Sequence, residues 1–294
     1  MASEINKAKK LLKGNIFEKF LKIDLNSDQY SLDDLENLSF KISLSGCKII
    51  NTDFNSIKLN SIKKGFNNAN QNSSNLNLGT TTPLISINFK LDNSIEKLIN
   101  NIKFLYSAQE SFDILNIIFA EKNDIFIEEF LHELSRLDNN LLYIINFNRN
   151  KLSNSSILKI TNTFFERISK NLIIEIDYIY SSPNEEDLNT DLQILSTADI
   201  IYKDLSRENQ KYKRIPIILP IQKESNIIEL ANQCSIKYDG VNLKDIIFSV
   251  LDYKIENNKI SIDLIKEISS EVIDTISKFL KMNVSNYDSK DENK

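Results

Sequence analysis

Short apolar runs alternate along the chain with longer stretches in which apolar residues recur every three or four positions. The short runs are typical of β-strands and the longer stretches of amphipathic helices. The predicted strands are Phe17–Leu25, Lys48–Phe54, Leu84–Phe89, Phe112–Phe119, Leu141–Phe147, Leu172–Tyr178, Asp199–Leu205 and Ile215–Pro220. A ninth short segment, Tyr238–Leu243, either closes the sheet or competes with the seventh strand for its place.

Helical stretches separate these strands. The predicted helices are Leu32–Ser43, Ser56–Asn70, Ser94–Ser107, Ile125–Leu137, Ser155–Ser169, Glu185–Ser196 and Ser225–Gln233. Because the strands are nearly continuous in Ile, Leu and Phe, we expect a parallel sheet that is buried on both faces. About eight β-α units in 294 residues predict an α/β fold with a single TIM-like (β/α)8 barrel, and a doubly wound open sheet is the alternative.

Four segments follow from this pattern. Residues 1–14 are predicted to form an N-terminal helix and residues 15–258 the barrel. Residues 259–282 are predicted to form a long amphipathic helix packed on the barrel, and residues 283–294 a flexible tail. The stretch Asn67–Thr82 is rich in Asn, Ser and Thr without a hydrophobic period, which predicts a mobile loop before the third strand.

Charge and composition narrow the class of protein. A net charge of -5 and a pI near 5.2 oppose nucleic-acid binding, which would be expected to show a basic patch. The chain contains no apolar run long enough to span a membrane and no secretory signal, so we expect no membrane association. Two cysteines without a metal-binding or disulfide spacing favour a reducing cytoplasm or plastid stroma. The low glycine count of 5, with much Ile and Asn, suggests an AT-rich genome.

Polar side chains stand at the predicted C-terminal strand ends, where barrel enzymes build their active sites. If the protein is an enzyme, Lys203, Asp177 and Asp24 are the candidates for Schiff-base or acid-base chemistry. The candidate ligand-binding residues are Asn51, Lys90, Asn146, Arg149, Lys223 and Asn242. The opposing interpretation is that strand ends are polar in any barrel that meets water there.

Other chemistries find little support. Phosphate-binding barrels use glycine-rich loops after the last strands, yet no glycine lies between Gly79 and Gly240. The single histidine, His132, lies within a predicted helix without a second His or Cys nearby, which argues against a metal site or a catalytic triad. We therefore expect no cofactor and no metal.

Several short motifs resemble one protein family. Leu11–Phe17 is similar to the family's Leu-Leu-x-Gly-x-x-Phe opening, and Leu38–Asn51 is similar to its passage from a helix to a strand through one glycine. Ile62–Phe66 resembles the end of the next helix, and Pro83–Ile87 resembles a strand. Tyr238–Leu243 resembles a late strand end. These motifs are those of the cyanobacterial light-dependent period protein (LdpA) family and its plastid Ycf-type barrel relatives. The resemblance implies a barrel. It does not extend to the family's ferredoxin-like cysteine insert, and Asn51 replaces the acidic residue that closes the family's second strand.

Three functions are open at this point. The first is a regulatory or scaffolding barrel, LdpA-like, from a cyanobacterium or plastid, whose catalysis is absent or vestigial. The second is a barrel lyase or isomerase that acts on a small anionic metabolite. The third is an adaptor whose C-terminal amphipathic segment, Ile262–Leu280, recruits a partner helix. The expected partner is accordingly an unknown protein or a small anionic metabolite.

Overall fold

The computed structural model describes residues 20–75, 82–91, 94–119, 124–137, 142–148, 152–168, 172–177, 217–221, 240–244 and 246–248, and, near the C-terminus, 261, 263–264, 266–268, 270–276 and 278. The predicted N-terminal helix and tail lie outside this part of the chain. So do the predicted strand Asp199–Leu205 and the predicted helices Glu185–Ser196 and Ser225–Gln233.

The described strands form a closed parallel barrel whose order follows the chain. They are β1 (Phe20–Asp24), β2 (Ile49–Thr52), β3 (Leu84–Lys90), β4 (Ile114–Phe119), β5 (Leu142–Asn148), β6 (Leu172–Asp177), β7 (Ile217–Ile221) and β8 (Gly240–Leu243). The helices are α1 (Leu32–Leu44), α2 (Ser56–Asn75), α3 (Ile95–Ser107), α4 (Asp124–Ser135) and α5 (Asn154–Thr163). The α/β class and the TIM-like (β/α)8 barrel are therefore confirmed.

The late strands settle the place of the ninth predicted segment. β8 pairs with β1 and so closes the sheet, and β6 pairs directly with β7. The expected assignment of Ile215–Pro220 as the eighth strand is wrong, because this segment forms β7 and Gly240–Leu243 takes the eighth place.

The chain divides into two compact units, which we call the first and the second unit. The first comprises Met1–Ser86, Ile221–Asn226 and Gly240–Lys294, and the second comprises Ile87–Pro220 and Ile227–Asp239.

Helices α1 and α2 pack closely within the first unit. α1 begins after Ser31, whose hydroxyl accepts the Asp34 N–H at 3.2 Å, a standard N-cap. A Cβ atom at Gly65 of α2 would lie 2.3 Å from the Glu36 carbonyl oxygen. Only glycine therefore permits this approach of the two helices. Phe40, Leu44 and Ala69 form a core with Ile268 and Leu264, so the described helical residues between 263 and 278 pack on α1 and α2.

The prediction of a loop over Asn67–Thr82 is wrong for its first part, because α2 continues to Asn75. Ala69 and Ser73 are buried there. The Ser73 hydroxyl donates to the Ala69 carbonyl at 2.7 Å, and the Asn72 amide donates to the Asn68 carbonyl at 2.7 Å. Tertiary burial of one face thus sustains a helix that low propensity alone argues against, and the polar side chains are accommodated by hydrogen bonds to the preceding turn.

Aromatic side chains build the core of the second unit. The Phe119 ring of β4 lies 6.3 Å from Phe130 of α4, 6.1 Å from Phe147 of β5 and 6.1 Å from Phe164. Tyr143 of β5 packs edge-on against Phe164 at 5.6 Å. We call these five residues the aromatic cluster. It covers the face of β4 and β5 that packs on the helices.

No helix in the part of the chain that the structure describes has both the length and the apolarity needed to cross a membrane.

Candidate functional site

Four polar side chains meet at the C-terminal end of β1 in the first unit. The Lys22 Nζ atom lies 3.3 Å from Asp24 Oδ1. The Asn51 Nδ2 group donates to Asp24 Oδ1 at 2.8 Å, and the Asn242 Nδ2 group donates to Asp24 Oδ2 at 3.0 Å. Both carboxylate oxygens therefore have partners from the chain itself. We call these residues the Asp24 cluster.

Strand register explains why these residues meet. Asp24 of β1 is paired with Asn51 of β2, and Lys22 is paired with Asn242 of β8. Side chains two positions apart on a strand point to the same face, so Lys22 and Asp24 lie on one side of β1. The intervening Ile23 points to the other face and is fully buried.

Burial makes the cluster electrostatically important. The Lys22 side chain is 0% exposed and the Asp24 side chain 25% exposed, while Asn51 and Asn242 are buried. A charge that is removed from water needs a nearby opposite charge and hydrogen bonds to be tolerated. The carboxylate of Asp24 supplies that opposite charge to the Lys22 ammonium group.

Two opposing effects set the pKa of Asp24. Burial raises it, but the positive charges of Lys22 and Lys244, together with the amide hydrogen bonds from Asn242 and Asn51, more than compensate. The pKa of Asp24 is consequently held below its ordinary value. The group is ionised at neutral pH and is a poor proton acceptor.

Polar residues also interrupt the strands of the second unit. The Asn116 Nδ2 group of β4 donates to Asn88 Oδ1 of β3 at 3.0 Å. Asn146 of β5 is paired in register with Glu175 of β6. Asn116, Asn146 and Glu175 are all buried. By strand alternation they lie on the face opposite the aromatic cluster.

The remaining predicted site residues either lie at other strand ends or fall outside the described residues. Lys90 is the last residue of β3 and is exposed. Asp177 is the last residue of β6, in register with Asn148. Arg149, Lys203 and Lys223 lie outside the described residues. Among the predicted residues, the structure thus brings together Asp24, Asn51 and Asn242.

His132 lies on a helix, as the sequence predicts, and Cys47 lies just before β2. His132 is exposed on α4, with Nδ1 3.3 Å from Glu133 Oε1. Cys47 is fully buried, and burial raises the pKa of its thiol to about 12. A thiol with that pKa is protonated and unreactive at neutral pH. Within the described ranges, no three His, Cys, Asp or Glu side chains are grouped as a metal ion would require.

Lys22 and Asn116 are buried polar residues that were not predicted from the sequence as members of a site. Both stand in the middle of strands that are otherwise apolar, in Phe20–Asp24 and Ile114–Phe119. The sequence carries one signal for Lys22, which is its spacing from Asp24. Lys22 lies two residues before Asp24, so a strand would place both on one face.

The fold is similar to solved structures of TIM-barrel enzyme domains. Homocysteine methyltransferase MmuM from Escherichia coli, in its apo form, is 10% identical with a TM-score of 0.52, over 80% of this chain and 93% of that one. The carboxyl transferase domain of Rhizobium etli pyruvate carboxylase, with pyruvate and biocytin, is 10% identical with a TM-score of 0.51, over 94% of this chain and 51% of that one. The chain thus spans about half the length of the carboxyl transferase structures.

These likenesses concern the fold alone, because identity is so low. The sequence matches no known protein-family profile. It also matches no curated protein. The chain is therefore a TIM-like barrel whose structural neighbours include enzyme domains, and its chemistry has to be argued from its own residues.

Proposed function

We propose that this chain is a regulatory or scaffolding (β/α)8 barrel in which catalysis is absent or vestigial. The observation that supports this most is the Asp24 cluster. At the strand end where a barrel enzyme would hold a reactive carboxylate, Asp24 already binds Lys22, Asn51 and Asn242. The residues of the Asp24 cluster are thus engaged with one another.

The cluster is poorly suited to proton transfer or covalent catalysis. A general base works best with a pKa near the operating pH, whereas the pKa of Asp24 is lowered. A Schiff-base lysine must reach the substrate carbonyl carbon. The Lys22 side chain is 0% exposed and points its ammonium group at Asp24. These features argue against a general base at Asp24 and a Schiff-base lysine at Lys22.

The resemblance to the LdpA family adds to this proposal. It implies a barrel whose relatives are regulatory, and here the cysteine insert that would support redox sensing is missing from the sequence. We accordingly propose a cyanobacterial or plastid protein of the cytoplasm or stroma. Its partner would be another protein, with no nucleic acid and no membrane involved.

The second candidate is a barrel lyase or isomerase acting on a small anionic metabolite. Two observations favour it: Asp24 keeps 25% of its side chain exposed, and Lys244 acts on it electrostatically. A ligand arriving from water would meet a carboxylate and an ammonium group together. Under this alternative Lys203 and Asp177 would supply the further acid-base groups, and Asn146, Lys90, Arg149 and Lys223 would contact the ligand.

Thermal unfolding in the presence of small carboxylates, phosphates and sulfate separates the two candidates. A ligand at 100 times its dissociation constant stabilises a protein by about 2.7 kcal/mol. We expect no saturable stabilisation of the wild-type protein by any of these anions. A saturable stabilisation whose dissociation constant Asp24→Asn changes, and the matched exposed variant Asp274→Asn does not, would contradict the proposal and support the enzyme. Stabilisation that Asp24→Asn leaves unchanged would also contradict it, because it would reveal a metabolite site elsewhere.

A further inference from the structure

We propose that the groove beside α4 and α5 binds a basic amphipathic helix of a partner protein. This inference rests on the proposed scaffolding function and names the class of partner. The groove lies on the helical surface of the second unit and has a volume of about 740 Å³. It does not involve the Asp24 cluster.

The groove has an apolar floor. Ile127 and Leu131 of α4 and Ile160 of α5 line its buried side. Ile95 and Thr163 also line it and are half-buried. Two adjacent helices leave an elongated depression between them, which suits the apolar stripe of a third helix. One or two large apolar side chains of such a helix would fill the depression.

The rim of the groove is acidic. It carries the carboxylates Glu128, Glu129, Glu133 and Glu166 against the cations Lys159 and Arg167. Glu128 forms an ion pair with Lys159 across the groove, and Glu133 forms one with Arg136 at 2.8 Å.

Two rim carboxylates are available to a partner. Glu129 and Glu166 are exposed, and no ion pair is seen for either within the described residues. An incoming helix with Lys or Arg beside its apolar stripe would complement them.

The acidic rim of the groove favours a basic helix over the other possible occupants of the groove. A second copy of this chain carries a net charge of -5, so its surface as a whole repels an acidic rim. Nucleic acids and anionic lipid headgroups are repelled for the same reason. Apolar anchors flanked by basic residues satisfy both the floor and the rim, which is why we commit to a basic amphipathic helix.

The test uses the full chain and a fluorescent probe peptide of about 14 residues, roughly four helical turns. The probe is made of Leu and Lys spaced so that Leu forms one helical stripe, and the control peptide has the same composition in scrambled order. Titrations are followed by fluorescence anisotropy at about 0.05 M and about 0.5 M salt. We expect saturable binding of the probe, weaker binding of the scrambled peptide, and a loss of affinity at the higher salt.

Three variants locate the binding. Thr163→Trp fills the floor without changing charge and should weaken binding more than tenfold. The double variant Glu129→Gln/Glu166→Gln should weaken it about three- to tenfold, as expected for exposed rim charges. Glu267→Gln, an exposed carboxylate in the helical residues near the C-terminus, is the matched control and should leave binding unchanged. Circular dichroism checks that each variant is folded. If Thr163→Trp does not fold, the charge variants still decide the test.

The proposal is overturned if the probe does not bind, if the scrambled peptide binds equally well, or if Glu267→Gln has the same effect as the rim variants. Concentration-dependent dimerisation that Thr163→Trp abolishes would also overturn it, because the occupant would then be a second copy. None of these results bears on metabolite binding at Asp24, so failure here and failure of the proposed function are distinguishable.

Discussion

The Asp24 cluster of the first unit and the aromatic cluster of the second unit are both built on strands of the same barrel, yet different forces hold them. In the Asp24 cluster a buried ammonium group and two buried amides contact the carboxylate of Asp24. In the aromatic cluster rings from β4, β5 and the helices pack at centroid distances between 5.6 and 6.3 Å. The first depends on charge and pH, and the second on buried area.

This difference shows what the two faces of a strand contribute. β1 and β4 both look like apolar runs with one or two polar residues. The face toward the helices is filled by apolar and aromatic side chains, as in other parallel sheets. The opposite face, which in TIM barrels is commonly filled by branched apolar residues, here carries buried Lys22, Asn116 and Glu175.

The largest expected effect is on the aromatic cluster. Phe119→Ala removes the ring that contacts Phe130, Phe147 and Phe164. We expect it to lower the free energy of unfolding by about 3–5 kcal/mol, because lost burial and the remaining cavity add together. Urea unfolding measures the change. Phe104→Ala is the matched control, since Phe104 is 59% exposed, and an equal loss there would contradict the account.

The next largest effect concerns the buried ion pair. Asp24→Asn leaves the Lys22 ammonium group buried without its carboxylate, and we expect a loss of about 2–4 kcal/mol, a little below the value for a fully buried pair because Asp24 is 25% exposed.

The double variant Lys22→Met/Asp24→Asn tests the cause of that loss. It removes both charges, so we expect it to be more stable than Asp24→Asn alone. A double-mutant cycle of urea unfolding gives the coupling free energy between the two residues. If the losses in free energy of unfolding of the two single variants simply add, the two residues do not interact, and the claim that Lys22 and Asp24 form a stabilising pair is wrong.

The two clusters should also respond differently to pH. The pKa of Asp24 is lowered in the folded protein, so its contribution to stability is fully present above the unfolded pKa near ~3.9 and is lost as the pH falls through the folded value. The stability difference between wild type and Asp24→Asn should therefore be constant above about pH 5 and shrink below about pH 4. The difference between wild type and Phe119→Leu should stay constant across the same series. A pH-independent effect of Asp24→Asn would count against the ionised pair.

The smallest effect is expected for an ion pair on the surface. Lys159 and Glu128 form a pair in which the side chains are 57% and 50% exposed. We expect Lys159→Gln to change the free energy of unfolding by less than about 1 kcal/mol, because water screens the pair. Thermal unfolding at low and high salt checks this. A loss as large as that of Asp24→Asn would remove the distinction between buried and exposed charge.

Much of the fold could be predicted because strong periodicity marks its elements. β6 and β3 were predicted to within about one residue, since both are short segments rich in Ile whose apolar positions favour a strand. The extension of α2 to Asn75 could not be predicted from propensity, because tertiary burial of Ala69 and Ser73 stabilises it. The order of the last strands depended on pairing between β1 and β8, which are more than two hundred residues apart.

The candidate site could be predicted only in part. Asp24, Asn51 and Asn242 were identified as polar strand ends, which places them at one rim. Lys22 was missed because a lysine inside an apolar strand resembles a residue at a solvent-exposed edge. The register with Asn242 and the 3.3 Å contact with Asp24 identify its partners.

The ionisation of Asp24 tests the central claim most directly. A titration of the Asp24 side-chain carboxyl carbon by NMR reports its pKa in the folded protein. If the carboxylate is held by Lys22, Asn51 and Asn242, its midpoint lies below the ordinary value of about 3.9, and it rises in Lys22→Met. A midpoint at or above that value in the wild-type protein, unchanged in Lys22→Met, would contradict the account.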